Sequence, residues 1–244
     1  MMIQYFLHRA IMAGTLTCIS LAVCTATARA QFVNVTGPQV PVFEVVIPEA
    51  GSIRLDSMRQ GFNFTFNNGN QFTNGSVSSA VFQRTNGFLD FVYQIDVTSA
   101  SGDNPSTVGV VEGGVTAINI TDFTDFITDA GFESDDIDGA ETNFSVGSLR
   151  PFRAGRPSEG GIQFTFNASG DGDISTGERS RVLVIRTDAT AFGFGTGAVS
   201  AQAAGNVLVF APTAAVVVPE AGTLALLLPG VALGVVAAKR RRNG

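Results

Sequence analysis

Carboxylates are the one reactive class this chain holds in quantity. Between residues 31 and 238 there is no cysteine, histidine or lysine: Cys18, Cys24 and His8 precede that stretch and Lys239 follows it. A thiolate nucleophile, an imidazole base, a disulfide framework and a Cys/His zinc site are therefore excluded from it. What remains for chemistry is acids, hydroxyls, arginines and Tyr93. Three acidic groupings stand out. Asp171-Gly172-Asp173-Ile174-Ser175 begins like a calcium loop, with the side-chain oxygens of Asp171, Asp173 and Ser175 at alternate positions. It then departs from that pattern, with Thr176 where the turn glycine belongs and Val182 where the closing glutamate would stand. Glu133, Asp135, Asp136, Asp138 and Glu141, following Asp122, Asp125 and Asp129, form a denser cluster that reads as a solvated acidic loop. Asp90 and Asp96 lie inside an otherwise apolar run, on one face because their spacing is even. Hydrolysis of a glycosidic bond by two acids needs such a pair brought to either side of that bond, but the expected place for these two is a solvated strand face. No nucleophile elbow, phosphate-binding loop or dinucleotide fingerprint is present. These observations point to a non-enzymatic protein without a resident cofactor, calcium being the one cation its oxygens would suit.

The elements that must position these groups are strands. From Gln31 the composition turns to Gly, Asn, Ser, Thr, Phe and Val in short alternating runs. Strands are predicted over 42–47, 62–66, 77–83, 88–97, 115–120, 162–166, 182–187 and 207–210. In Phe62-Asn63-Phe64-Thr65-Phe66 the rings fall on one face and the polar residues on the other. Turn signals such as Asn67-Asn68-Gly69-Asn70, Asn86-Gly87 and Glu112-Gly113-Gly114 separate the runs. The expected fold class is all-β: an antiparallel β-sandwich, jelly-roll-like or Ig-like, with at most one short helix over 122–130, where Phe123, Phe126, Ile127 and Ala130 recur at helical spacing behind Thr121. Gly61-Phe62-Asn63-Phe64-Thr65-Phe66-Asn67 is echoed by Gly161-Ile162-Gln163-Phe164-Thr165-Phe166-Asn167, which predicts two strands that share a core.

The ends differ in kind from the middle. Residues 1–30 read as a secretory signal: Arg9, an apolar run over 10–24, and Ala28-Arg29-Ala30 with cleavage after Ala30. The apolar run is too short for a stable span, which needs about 20 residues. At the other end, Pro219-Glu220-Ala221-Gly222-Thr223 is followed by an apolar segment and the basic cap Lys239, Arg240, Arg241 and Arg242. The basic run orients a transmembrane helix with its C-terminus in the cytoplasm. Three divisions follow: a signal peptide over 1–30, a β-sandwich domain over 31–215, and a sorting signal with transmembrane helix and basic tail over 216–244. The formal charge is −6 overall, but six of the fifteen cationic residues sit in the terminal segments, so the stretch between them carries −12. Such a domain repels nucleic acid.

The C-terminal arrangement resembles the PEP-CTERM sorting signal of exported proteins in Gram-negative bacteria that make extracellular polysaccharide. Ala221 stands where that motif has its second proline. The resemblance covers the last 28 residues and implies recognition of Pro219 and Glu220 by a membrane-embedded exosortase. It also implies transient anchoring in the inner membrane, processing near those residues, and release to the cell surface or extracellular matrix, where extracellular polysaccharide would be a neighbour. A shorter echo of the motif, Pro48-Glu49-Ala50-Gly51, lacks the apolar span and reads as a turn. Two other functions stay open for the domain in front of the tail: a carbohydrate- or calcium-binding adhesin module, and a carboxylate-dependent glycan hydrolase.

Overall fold

A computed structural model of the chain describes residues 32–37, 39–66, 71–101, 113–134, 137, 143–157, 160–166 and 173–214. The signal segment with Ala30, the sorting motif Pro219 to Thr223, the basic cap Lys239 to Arg242, and the terminal helices expected around them lie outside these residues. Among the described residues no helix is long and apolar enough to cross a membrane.

Among the described residues twelve strands form two antiparallel sheets. The first contains β1 (Val33–Asn34), β7 (Thr128–Glu133), β10 (Val182–Thr187), β5 (Leu89–Ala100), β4 (Gln71–Gln83) and β3 (Ile53–Phe66), in that spatial order. The second contains β12 (Ala204–Pro212), β11 (Phe192–Ser200), β6 (Ala117–Ile120), β9 (Ile162–Thr165), β8 (Arg153–Gly155) and β2 (Val40–Pro41). The all-β, sandwich-like expectation is met, with no helix among the described residues.

Period-two alternation carries the packing. Phe62, Phe64 and Phe66 of β3 are buried while Asn63 and Thr65 are exposed. Ile162, Phe164 and Phe166 are buried in the same apolar cluster. The two echoed segments share a core, as their pattern predicts, but they lie in different sheets and are not paired. One edge of the sandwich is closed by side chains: Phe210 of the edge strand β12 accepts a hydrogen bond from the Tyr93 hydroxyl at 2.6 Å, and its N–H donates to Ser79 Oγ at 3.4 Å. These two groups on the first sheet satisfy backbone that an edge strand would otherwise leave open.

The first sheet is covered on both faces, which a simple sandwich would not require. Leu89, Phe91, Tyr93, Ile95 and Val97 of β5 join the core between the sheets. Val92 on the opposite face packs with Ala80, Phe82, Val182 and Val184, and with Val45, Ile47, Ile137 and Phe144 from irregular segments. Residues 42–47 are one of those segments, and here the strand expectation needs correction. They run extended along β7, with Val45 N donating to Phe132 O at 2.8 Å and Phe132 N to Phe43 O at 3.0 Å, but form only an isolated parallel bridge at Glu44. They act as a strap, burying Val42, Val45 and Ile47 and leaving Phe43 and Val46 exposed. The chain then turns at Pro48 to Ser52, where Ser52 N donates to Glu49 O at 2.9 Å and Gly51 has a φ of 87°. The Pro48-Glu49-Ala50-Gly51 echo is thus a turn.

The helix expected over 122–130 is also corrected. Asp122 takes a φ of 73°, which a starting helix does not admit. The Arg156 guanidinium donates to the carbonyls of Phe123 at 2.7 Å and Phe126 at 3.1 Å and to the Thr128 hydroxyl at 2.7 Å, engaging acceptors that a helix would use internally. From Thr128 onward six residues pair with β10, and that ladder prevails over the local spacing. Among the strands that the sequence pattern does not predict, which include the short β1, β2 and β8, β7 and β11 escape it for opposite reasons. β7 is short and carries a glycine and two acids among its apolar residues. In β11 two of the three buried positions are Gly195 and Gly197, where an added Cβ would meet Ala211, Val207 and Val209, so apolar alternation is reduced to Val199.

Candidate functional site

Three polar assemblies sit on or beside the first sheet, and arginine organises each. At one end of β5, Asp90 is 1% exposed. Its carboxylate faces Arg84 Nε at 3.1 Å and accepts from Arg186 Nε and Nη2, each at 3.1 Å. Arg186 also reaches Glu49 of the turn at 2.6 Å and stacks on Phe32 at 4.0 Å from the ring centroid. Arg84 donates to the Thr187 carbonyl. Burial raises the Asp90 carboxyl above its usual range, outweighing the two guanidiniums that favour its charged form, and burial lowers Arg84. Further along the same strand face, Asp96 Oδ2 accepts from Arg59 at 2.9 Å and Arg179 at 2.7 Å, and Arg59 Nε also donates to Ser76.

The expectation of a solvated face for this acid pair is therefore corrected at Asp90, which is enclosed because the turn after the strap covers that end of the sheet. The two acids are also too far apart to act together. Six residues of extended strand separate them by about 20 Å, whereas two acids flanking one glycosidic bond stand roughly 5–9.5 Å apart. Each instead neutralises its own pair of arginines and ties β5 to its neighbours.

The acidic groupings fare differently. Glu133 is no part of a solvated loop: it is 5% exposed, and its two oxygens accept from Ile47 N and Ser134 N, both at 3.0 Å, fixing the strap. Asp135, Asp136, Asp138 and Glu141 lie outside the described residues, as does Asp171. Of the calcium-loop candidates, Asp173 and Ser175 precede a tight turn in which Ser175 N donates to Glu178 Oε2 at 2.7 Å and Glu178 N to Ser175 O at 3.0 Å. Gly177, with a φ of 77°, completes that turn. The nearest carboxylate thus serves the backbone. Among the described residues no group of three or more acids converges as a metal site.

The third assembly is a depression of about 530 Å³ lined by Glu44, Phe132, Ser148, Leu149, Arg150 and Arg181. Its elements are fixed by backbone bonds: Ser148 N and Leu149 N donate to Arg179 O at 3.1 and 3.2 Å, and Arg181 N donates to Leu149 O at 2.7 Å. The strap brings Glu44 beside Phe132. Phe132 and Leu149 are buried and form a floor, while Glu44, Ser148 and Arg150 are exposed at the rim. The Arg181 guanidinium lies 5.5 Å from the Phe132 ring centroid, and its Nε is enclosed without a hydrogen-bond partner. Glu44 Oε1 accepts from the Ser134 hydroxyl. Sequence reasoning does not find this site. Its members come from four separate stretches of chain, at Glu44, Phe132, Ser148 to Arg150 and Arg181, and no spacing rule links them.

Comparison with protein-family models, with curated proteins and with solved structures gave no match.

Proposed function

We propose that this chain is an exported, non-enzymatic protein of the cell surface or extracellular matrix of a Gram-negative bacterium. In this reading an N-terminal signal is cleaved after Ala30 and a membrane-embedded processing enzyme acts at a PEP-CTERM-type tail. The observation that carries it is the three-part tail: Pro219-Glu220-Ala221-Gly222-Thr223, the apolar segment, and Lys239 to Arg242. The all-β domain is compatible with it. The described carboxylates that are buried, Asp90 and Glu133, are occupied by arginines and backbone donors.

The deciding measurement is the C-terminal peptide of surface-exposed protein recovered from cells. Processing near Pro219-Glu220 is expected to leave a mature chain lacking the apolar segment. A tail still ending in Arg242-Asn243-Gly244 on all surface-exposed protein would overturn the sorting proposal and leave a single-span anchor. A carbohydrate-binding adhesin is the second reading, favoured by the depression at Arg181.

A further inference from the structure

We infer that one end of the sandwich is a membrane-docking surface, seated on lipid headgroups while the C-terminal anchor is in place. The strand registers define that end. Ile53, the first residue of β3, lies opposite Gln83, the last of β4, and Gln83 lies opposite Leu89, the first of β5. Asp90 pairs with Arg186 and Thr187 with Thr128 at the start of β7, while Ile127 N donates to Asp188 Oδ1 at 3.0 Å. β12 finishes there too: Pro212 pairs with Phe192, and Thr213 N donates at 3.1 Å to the carbonyl of Ala191, three residues beyond Asp188. The chain thus leaves the described fold at the end formed by the 84–88 hairpin, the loop before β7 and the β10–β11 connection.

Reach restricts what this end can meet. Ten residues of chain lead from Ala214 to Leu224 in the apolar segment, at most about 36 Å when extended. β4 and β5 run the length of the domain with 13 and 12 residues, about 40 Å. The opposite end therefore cannot be turned to a bilayer that holds the apolar segment. Three exposed apolar side chains mark the near end: Ile53, Phe88 and Ile127. They stand at the starts of β3, β5 and β7, every second strand of the first sheet, and so form a row at intervals of about 10 Å. The hairpin fixes Phe88: Arg84 N donates to its carbonyl at 2.8 Å, its own N–H donates to Asn86 Oδ1 at 3.1 Å, and the Arg84 guanidinium lies 5.6 Å from its ring centroid. Single apolar residues on a surface are ordinary. These are kept beside a bilayer by the chain's own anchor, where a high local concentration turns a weak contact into an occupied one. The boundary between headgroups and acyl chains takes up such side chains. Asp122, Asp125 and Asp188, exposed at the same end, disfavour anionic lipid, so the surface fits a zwitterionic bilayer.

The inference rests on the proposal that the tail spans the membrane, and not on its processing. The chain has no tryptophan, so a single one introduced reports its own surroundings. Phe88→Trp is compared with Phe72→Trp, which changes a residue that is also exposed but sits at the far end, near the start of β4. Each variant is made in the full chain, purified in detergent from cells without a tail-processing enzyme, and reconstituted into vesicles of phosphatidylethanolamine and phosphatidylcholine with brominated acyl chains, which quench indole fluorescence on contact. Phe88→Trp is expected to lose most of its emission and to shift to the blue, and Phe72→Trp to do neither. Adding Ile53→Ser and Ile127→Ser to Phe88→Trp should restore the emission, and phosphatidylglycerol in place of phosphatidylcholine should weaken the quenching. Vesicle flotation separates the two ideas. A chain that does not float with the vesicles removes the anchor and this surface with it. In a chain that does float, equal quenching at both positions, none in Phe88→Trp, quenching unmoved by the two serines, or quenching strengthened by phosphatidylglycerol would overturn the docking surface alone.

Discussion

Replacing Asp90 with alanine should cost far more stability than the same change at Asp96, although each acid bridges two arginines on the same strand face. The difference is burial. The Asp90 side chain is 2% exposed and its partners Arg84 and Arg186 are 11% and 17% exposed, so removing the carboxylate strands two guanidiniums in a dry site. Breaking a buried pair in this way typically costs about 3–5 kcal/mol. For a domain of this size that corresponds to a melting temperature lower by roughly 6–20 °C. At Asp96 the partners Arg59 and Arg179 are 40% and 32% exposed and can turn into water, so the expected loss is within about 1 kcal/mol. The penalty at Asp90 comes from the abandoned arginines, since burial itself disfavours the charged acid and raises its pKa. The sign of the pH dependence follows. The Asp90 contribution is fully present below the usual unfolded value of about 3.9 and is lost as pH rises through the raised folded value. Asp90→Asn should flatten that part of the stability profile. Thermal and urea unfolding of the full chain across acid pH, for the wild type and the three variants, checks all of this. If Asp90→Ala loses no more than Asp96→Ala, the arginine-stranding account is wrong.

Two further outcomes test the frame around these sites. Tyr93→Phe removes the buried donor to the Phe210 carbonyl and should cost about 1–2 kcal/mol in urea unfolding. Because burial pushes the Tyr93 phenol well above its ordinary value, its ultraviolet ionisation step should appear only as the protein unfolds in alkali and vanish in this variant. Gly147→Ala places a Cβ 1.9 Å from the Ser180 carbonyl oxygen, so the segment carrying Ser148 to Arg150 must lift from β10. A loss of about 3 kcal/mol or more is expected from urea unfolding.

The fold class was legible because period-two alternation is a property of each strand alone. Phe62, Phe64 and Phe66, and the matching run at Ile162, Phe164 and Phe166, declare a buried face without reference to any partner. What escaped depends on residues that gain meaning only from distant chain. Asp90 looks like a surface residue until a turn forty residues earlier and Arg186, ninety-six residues later, enclose it. Residues 122–130 look helical until Arg156 takes the carbonyls of Phe123 and Phe126. The depression at Arg181 exists only where the strap, the segment at Ser148 and the start of β10 meet. Arginine explains why these long-range features recur. With no lysine between residues 31 and 238, every basic side chain there is a planar fork with five donors. Arg84, Arg156 and Arg186 each bind two or more partners from separate elements, using the side chain as a cross-link where a lysine would offer a single charge. Arg181 has the same fork, held over the Phe132 ring.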